Sequence, residues 1–495
     1  MTAIVTNKLR VHNAKQFVGG FDGTDVTPIY GFIGRPTPWI ANESPQVGGA
    51  SDTGNPGFPY DTRAYESKTM QYMLHMKRIA AGNVTHACKN LKWSSGVYFN
   101  PYRHDYDGSK TVNQLVSGTF QPSTLADANY YCTSQNKVYI CLKPGQASSI
   151  VDPAETCGTS KEPAKGVDGY LWKYISSRSV DDATMLSTPD YFPVRTVSNT
   201  LVPGDELYYQ SQAQVNSIPG AIYAVLIESG AGSNWGTTEI PRAVQSGKVR
   251  VIGDGTLNTN ANGATNGFEI KLIISSGTIM DIEVVDPGQG FTFCTIVNTD
   301  IGGILPNITP IITPKTGLGR DPILDLNAYY VVMGIDLAGN VGGKFTTDND
   351  FRQFGIISSP LQFNTSNVLT ETTVDCTTTI VWDSAITANP DTVITLSTNR
   401  KCFVVDKFQF PADHTVIEYR NKYATRVITP KEIDDVAPNA PISIGNTIAG
   451  QPDTILGVIN SEWNFQTGEL LYVENRRPIA RYLDQGEDMR VVIEF

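Results

Sequence analysis

Asp52-Thr53-Gly54 matches the tripeptide that supplies one carboxylate of an aspartic-protease pair, a chemistry that needs two carboxylates sharing a proton. It occurs once, inside GGASDTGNPGF, with no apolar strand on either side, so a solvated turn is the expected reading. In RHDYDGSKTVNQ, Asp105, Asp107 and Gly108 fall at part of a calcium-loop spacing. Arg103 and Gln114 occupy its first and last ligand positions, however, where a cation cage requires oxygen ligands. Gly230 and Gly232, and again Gly288 and Gly290, form Gly-x-Gly pairs. Neither pair has a third glycine or opens a helix, so they read as tight turns at strand ends and not as phosphate cradles.

The remaining reactive residue types are scattered. Five histidines (His12, His75, His86, His104, His414) are widely spaced, and nothing in the sequence joins one to a nucleophile. Seven cysteines (Cys88, Cys132, Cys141, Cys157, Cys294, Cys376, Cys402) lack the dense spacing of a disulfide scaffold and are expected to be mostly reduced core residues. His86-Ala-Cys88 stands without a second ligand pair, so no zinc site is expected. There is no Gly-x-x-x-x-Gly-Lys-Ser/Thr, His-Glu-x-x-His or Gly-x-Ser-x-Gly. These motifs mark no catalytic, cofactor-binding or metal residue, and no cofactor is expected.

The elements that would carry any site are mainly strands. Hydrophobic residues make up 40% of the 495 and charged residues 18%, and Gly 44 and Pro 29 supply many turns. That balance suits a soluble protein of many short strands. A net charge of −11 and a pI near 5.0 offer no basis for gripping a phosphate backbone, so no nucleic-acid partner is expected. No apolar stretch is long enough to cross a bilayer as a helix.

The clearest helical pattern lies in DTRAYESKTMQYMLHMKRIAAG, residues 61–82. Asp61 is its expected cap, Met70, Met73, Leu74 and Lys77 sit at helical spacing, and Gly82 is its stop. Elsewhere the period is two, as in NKVYICLKPG and GYLWKYIS. In GFEIKLIISSGTIMDIEVVDPGQGF, Phe268, Ile270, Leu272 and Ile274 alternate, a Ser-Ser-Gly turn follows, and Met280, Ile282 and Val284 alternate back. This predicts a hairpin with one apolar face. AVLIESGAGSNW at 224 and IEVVDPGQGFTF at 282 look duplicated, and two such units would share one core. Residues 362 to about 460 form a second β-rich stretch.

The closing stretch, GELLYVENRRPIARYLDQGEDMRVVIEF, combines acids, arginines and a proline. Its last strand separates Met489, Val491, Ile493 and Phe495 from Arg490 and Glu494. ELLYVEN reads as a strand, RRPI as a turn or a further extended run, and DQGED as a polar turn. Cross-strand pairing or an interface is therefore the default role of its charges.

This stretch resembles the C-terminus of the homodimeric baseplate wedge subunit of T-even-type contractile-tail bacteriophages. IVTNKLR at 4, IGRPTPW at 33, MQYMLHMKRIAAGNVTHACKNLKW at 70, VYICLK at 138, GVDGYLWKYI at 166 and FRQFGIISSPL at 351 fall in the same order. The resemblance covers roughly residues 1–195, 320–361 and 460–495. It implies a mainly β fold with α+β parts: a two-layer β core with flanking helices and β-rich insertions. The organisation expected is an N-terminal core part at 1–200, a β-repeat-like insertion at 201–319, a core segment at 320–361, a β-rich insertion at 362–459 and closing strands at 460–495. It also implies a non-enzymatic homodimer that contacts other wedge proteins, assembled in the bacterial cytoplasm into the virion's tail baseplate. The alternative is a carbohydrate- or receptor-binding tail protein resting on Trp235 and Phe291, against the plainer reading that both rings are packing.

Overall fold

The computed structural model describes residues 6–21, 27–39, 56–105, 128–255, 258–259, 265–299, 303–436 and 441–495. Among them the chain is mainly β, built from antiparallel sheets with few and short helices. Two compact units emerge: residues 1–18, 85–332 and 492–495 form the first, and 19–84 with 333–491 the second. The stretch 201–319 falls wholly in the first and 362–459 wholly in the second, whereas 1–200 is divided between them.

In the first unit, the strands Tyr131–Ser134, Lys137–Lys143, Leu171–Ser177 and Ala164–Lys165 lie side by side in that order. Gln135 and Asn136, both at positive φ, make the two-residue turn that joins the first pair with the right twist. Phe99, Tyr170 and Trp172 pack on one face of this sheet, with Cys132, Cys141 and Cys157 beside them.

The strand Ile222–Ser229 explains why 201–319 is not a detachable appendage. Its run IYAVL is buried on both faces, as continuous apolar runs in strands usually are. Tyr223, Ala224 and Leu226 join Tyr130, Val138 and Ile140 in one core, while Ile222 and Val225 join Trp235, Phe268 and Leu272 in another. It also pairs with Asn307–Ile312.

The expected hairpin is present as Glu269–Ser275 against Thr278–Asp286, turned by Ser276 and Gly277 at positive φ. Met280 does not share its apolar face. The register moves from Ile273↔Asp281 to Ile274↔Ile279, which leaves Met280 as a bulge residue, 58% exposed, while Ile279 and Ile282 are buried.

In the second unit, five strands run in the order Thr373–Asp375, Met73–Arg78, Ile29–Gly34, Asn349–Ser358, Glu469–Arg481. The helix expected over 61–82 is corrected here. It spans Arg63–Gln71, capped by Thr62 and not Asp61, and the chain then enters the strand Met73–Arg78. Met73, Leu74 and Met76 are all buried, because this strand is central in its sheet with neighbours on both sides. Their spacing fits a helical stripe as well as a two-sided strand, and tertiary pairing decides between them.

ELLYVEN and RRPIAR form one continuous strand, Glu469–Arg481. Pro478 is tolerated because the strand is at the sheet edge, and because Arg476, Arg477 and Pro478 bulge opposite the single residue Arg352. The stretch 362–459 adds a second five-stranded sheet, ordered Val393–Thr395, Lys401–Gln409, Tyr423–Ile428, Thr378–Trp382, Ile455–Ile459. It has a core of its own around Trp382, Leu396, Cys402 and Val404. Along Gly486–Glu494 the expected alternation holds: Val491 is buried, Met489 and Ile493 half-buried, Arg490 and Glu494 exposed.

Candidate functional site

His75, on the central strand Met73–Arg78, comes nearest to a catalytic arrangement. Its Nε2 lies 3.1 Å from the Thr346 hydroxyl, and its Nδ1 lies 3.6 Å from Asp375 Oδ1. The order hydroxyl, imidazole, carboxylate is that of a nucleophile–base–orienter set. The local chemistry gives it another role. Nε2 also accepts the backbone N–H of Thr346 at 3.2 Å, so it is the unprotonated nitrogen and is already occupied. Asn349 Nδ2 donates to the Thr346 hydroxyl at 2.7 Å. Neither His75 (0% exposed) nor Thr346 (1%) can be reached by a substrate. Burial, reinforced by Arg426 and Arg481, holds the imidazole well below its ordinary pKa, so it is neutral.

The charges around His75 fasten the second β-rich stretch to the main sheet. Asp375 meets Arg426 at 3.2 Å, and Arg426 meets Asp406 at 3.0 Å on the next strand. Burial raises the Asp375 carboxyl while Arg426 opposes the shift. Glu462 accepts the Asp375 backbone N–H at 2.8 Å and pairs with Lys344 at 2.6 Å. Buried networks of this kind set register and docking geometry more dependably than they add net stability.

A matching arrangement fastens 201–319 within the first unit. Lys143 Nζ donates to the Asp281 carboxylate and, at 2.9 Å, to the Ile282 carbonyl. Lys165 bridges Asp281 and Glu283 at 2.8 Å each. Burial lowers the pKa of Lys143 in spite of Asp281. Burial also works against the charge on Asp281, but the two ammonium groups outweigh it and hold its carboxyl below the usual range. A cleft of about 400 Å³ runs alongside. Both lysines are committed to acids there, which leaves neither poised as a nucleophile.

The other stretches flagged by sequence are structural where they can be described. Asp52-Thr53-Gly54, and Asp107, Gly108 and Gln114, lie outside the described residues. Arg103 is a buried fork, bonded to Asp105 at 2.9 Å and to Glu228 at 2.8 Å. Gly230, Gly232, Gly288 and Gly290 all adopt positive φ at strand ends, as tight turns require. All seven cysteines are unpaired, and five are buried. Trp235 and Phe291 are 7% and 5% exposed. The Trp235 indole N–H donates to the Ile304 carbonyl at 2.7 Å, and Phe291 packs on Phe268, so the carbohydrate-binding alternative loses the two rings it rested on.

What the sequence reading missed is a surface. Around the edge strand Glu469–Arg481 the second unit exposes Phe58 (83%), Tyr60, Leu471 and Tyr472, together with Arg476 and Arg477. Aromatic and arginine side chains are the residues most enriched at the centres of protein interfaces. Exposure is a tertiary property, and the alternation of Glu469–Arg481 alone does not reveal it, because two bulges shift the faces.

No family model matches this chain, and no curated protein is found similar to it.

Proposed function

We propose that the chain is a structural subunit of a contractile phage tail baseplate wedge, which self-associates and contacts other wedge proteins, and which is assembled in the host cytoplasm into the virion. One observation carries the reading: four of the seven segments that carry the resemblance to that family, far apart in sequence, meet in one sheet. MQYMLHMKR and GELLYVENRRPIAR contain two of its five strands, FRQFGIISSPL contains all but the first two residues of a third, Asn349–Ser358, and IGRPTPW begins with the last two residues of a fourth, Ile29–Gly34.

They are also joined by side chains. Arg352 donates to the Pro36 carbonyl at 2.6 Å, and the Trp39 indole donates to the Arg476 carbonyl at 2.9 Å. Arg35 lies 3.9 Å from the centroid of the Trp39 ring and 5.1 Å from that of Tyr72.

The chemistry favours assembly over turnover. The closest approach to a catalytic set is sealed in the core, while aromatic, leucine and arginine side chains stand exposed beside the edge strand. Pro478, the bulges and the arginines also discourage indiscriminate pairing along that edge. The test is co-expression with the wedge proteins of a contractile-tailed phage, followed by light scattering and affinity capture. A dimer that captures wedge proteins supports the reading; a monomer that captures none overturns it.

A further inference from the structure

In a chain of net charge −11, the cleft at Arg242 and Arg250 is locally cationic. Both arginines are exposed, both line the same cleft of about 510 Å³, and among the described residues neither has an acidic partner. The one carboxylate among the described lining residues, Glu269, is buried and bonded to backbone N–H groups, and it forms no ion pair with either arginine. Its Oε1 accepts the Val244 N–H at 2.9 Å and the Ile270 N–H at 3.2 Å, and its Oε2 accepts the Gln245 N–H at 3.1 Å.

The rest of the wall is suited to a ring with hydroxyl groups. Phe291 is buried behind the wall, where Gly255 packs on its ring: a Cβ there would lie 2.4 Å from it. Gln245 and Thr299 stand at the exposed rim. The Thr299 hydroxyl donates to the Gly247 carbonyl at 2.6 Å, so its lone pairs remain able to accept. Guanidinium forks match carboxylates, amide and hydroxyl groups read sugar hydroxyls, and a volume of this size falls in the range of ligand sites.

We propose that this cleft binds an acidic sugar, with the arginines on the carboxylate and Gln245 and Thr299 on ring hydroxyls. The proposal stands apart from the wedge reading, and neither depends on the other. The test is calorimetric titration of the full chain with a glucuronate-containing disaccharide, its carboxyl-reduced neutral counterpart, and inorganic phosphate. The acidic disaccharide should bind, and the neutral one should not. Arg242→Gln and Arg250→Gln should each weaken binding about tenfold, the loss of one charge-assisted contact. Both variants should melt as the parent does, since both side chains are on the surface. Failure of the acidic disaccharide to bind, binding unchanged in the double variant, or phosphate binding as tightly as the disaccharide would each overturn the proposal.

Discussion

The indole N–H of Trp39 donates to the backbone carbonyl of Arg476 at 2.9 Å, so the bulged edge strand near the C-terminus is held by a residue from the first forty of the chain. The same ring covers Arg35, which is 1% exposed and at positive φ. Trp39→Phe keeps the ring and removes the donor, and it should cost about 1 kcal/mol of unfolding free energy. Trp39→Ala also removes the cation–π contact and should cost about 1–2 kcal/mol more. Urea unfolding of the two variants measures the difference; no loss in Trp39→Phe would show that the donor is not used, and equal losses that the ring adds nothing beyond it.

Arg400 and Asp434 form a buried ion pair at 2.9 Å inside the second β-rich stretch, with Asp434 fully buried. Arg400→Met leaves that carboxylate stranded and should destabilise by about 3–5 kcal/mol. The double change Arg400→Met with Asp434→Leu should recover most of the loss, since replacing both partners removes the stranded charge. Thermal melts of the three proteins decide the matter, and a double variant as unstable as the single one would refute it.

Two buried histidines set an acid limit. Burial, with Lys15 and Arg195 acting in the same direction, brings His86 from 6.5 down to about 4, and His75 is held well below 6.5. For a histidine whose folded pKa is depressed, the unfolded chain binds the proton first. Stability is therefore complete above pH 6.5 and is lost as the pH falls from there toward 4. Between pH 6.5 and 4.5 the melting temperature of the parent should fall more steeply than that of His86→Gln; equal slopes would show that His86 does not set the limit.

Asp325 gives the opposite sign. Burial raises its carboxyl to about 8, against the pull of the Gly319 N–H that it accepts at 2.6 Å. An acid with a raised folded pKa favours the folded state at low pH and loses that contribution as the pH climbs from about 4 through 8. Asp325→Asn keeps an acceptor for Gly319 and should make the protein less sensitive to alkali. A variant as alkali-sensitive as the parent would mean that Asp325 is not the group responsible.

Removing residues 215–318 should unfold the first unit, because it withdraws Ile222–Ser229 from the centre of two cores. Removing 378–459 takes out a sheet with its own core and uncovers mainly Tyr72 and Leu74. The second deletion should leave the first unit protected from limited proteolysis. Rapid digestion of both deletion proteins alike would contradict this difference.

How far these features could be read in advance depended on the range of the forces involved. Strands whose apolar residues alternate, such as those around Leu272 and Val491, declare themselves locally, as does the turn at Ser276-Gly277. Met73–Arg78 does not, because its burial comes from neighbours 40 to 300 residues away, and helical and strand spacings coincide over so short a run. The bulges at Met280 and opposite Arg352 are likewise set by partner strands. Among the site residues, the positive-φ glycines were readable from type and context. The convergence of His75, Thr346 and Asp375 was not, since they lie on three separate segments. The locally cationic cleft was hidden for a related reason: only folding buries Glu269 against backbone N–H groups and leaves Arg242 and Arg250 without an acid.

The proposed place in a baseplate wedge, and with it a viral origin, is open to one direct measurement: mass spectrometry of purified, gradient-banded particles, and of their isolated baseplates, of a contractile-tailed phage whose genome carries this coding sequence. The chain should be present in the particles, enriched in baseplates, and in constant ratio to the other wedge proteins. Its absence from particles, with the protein found only in the soluble lysate, would contradict the account.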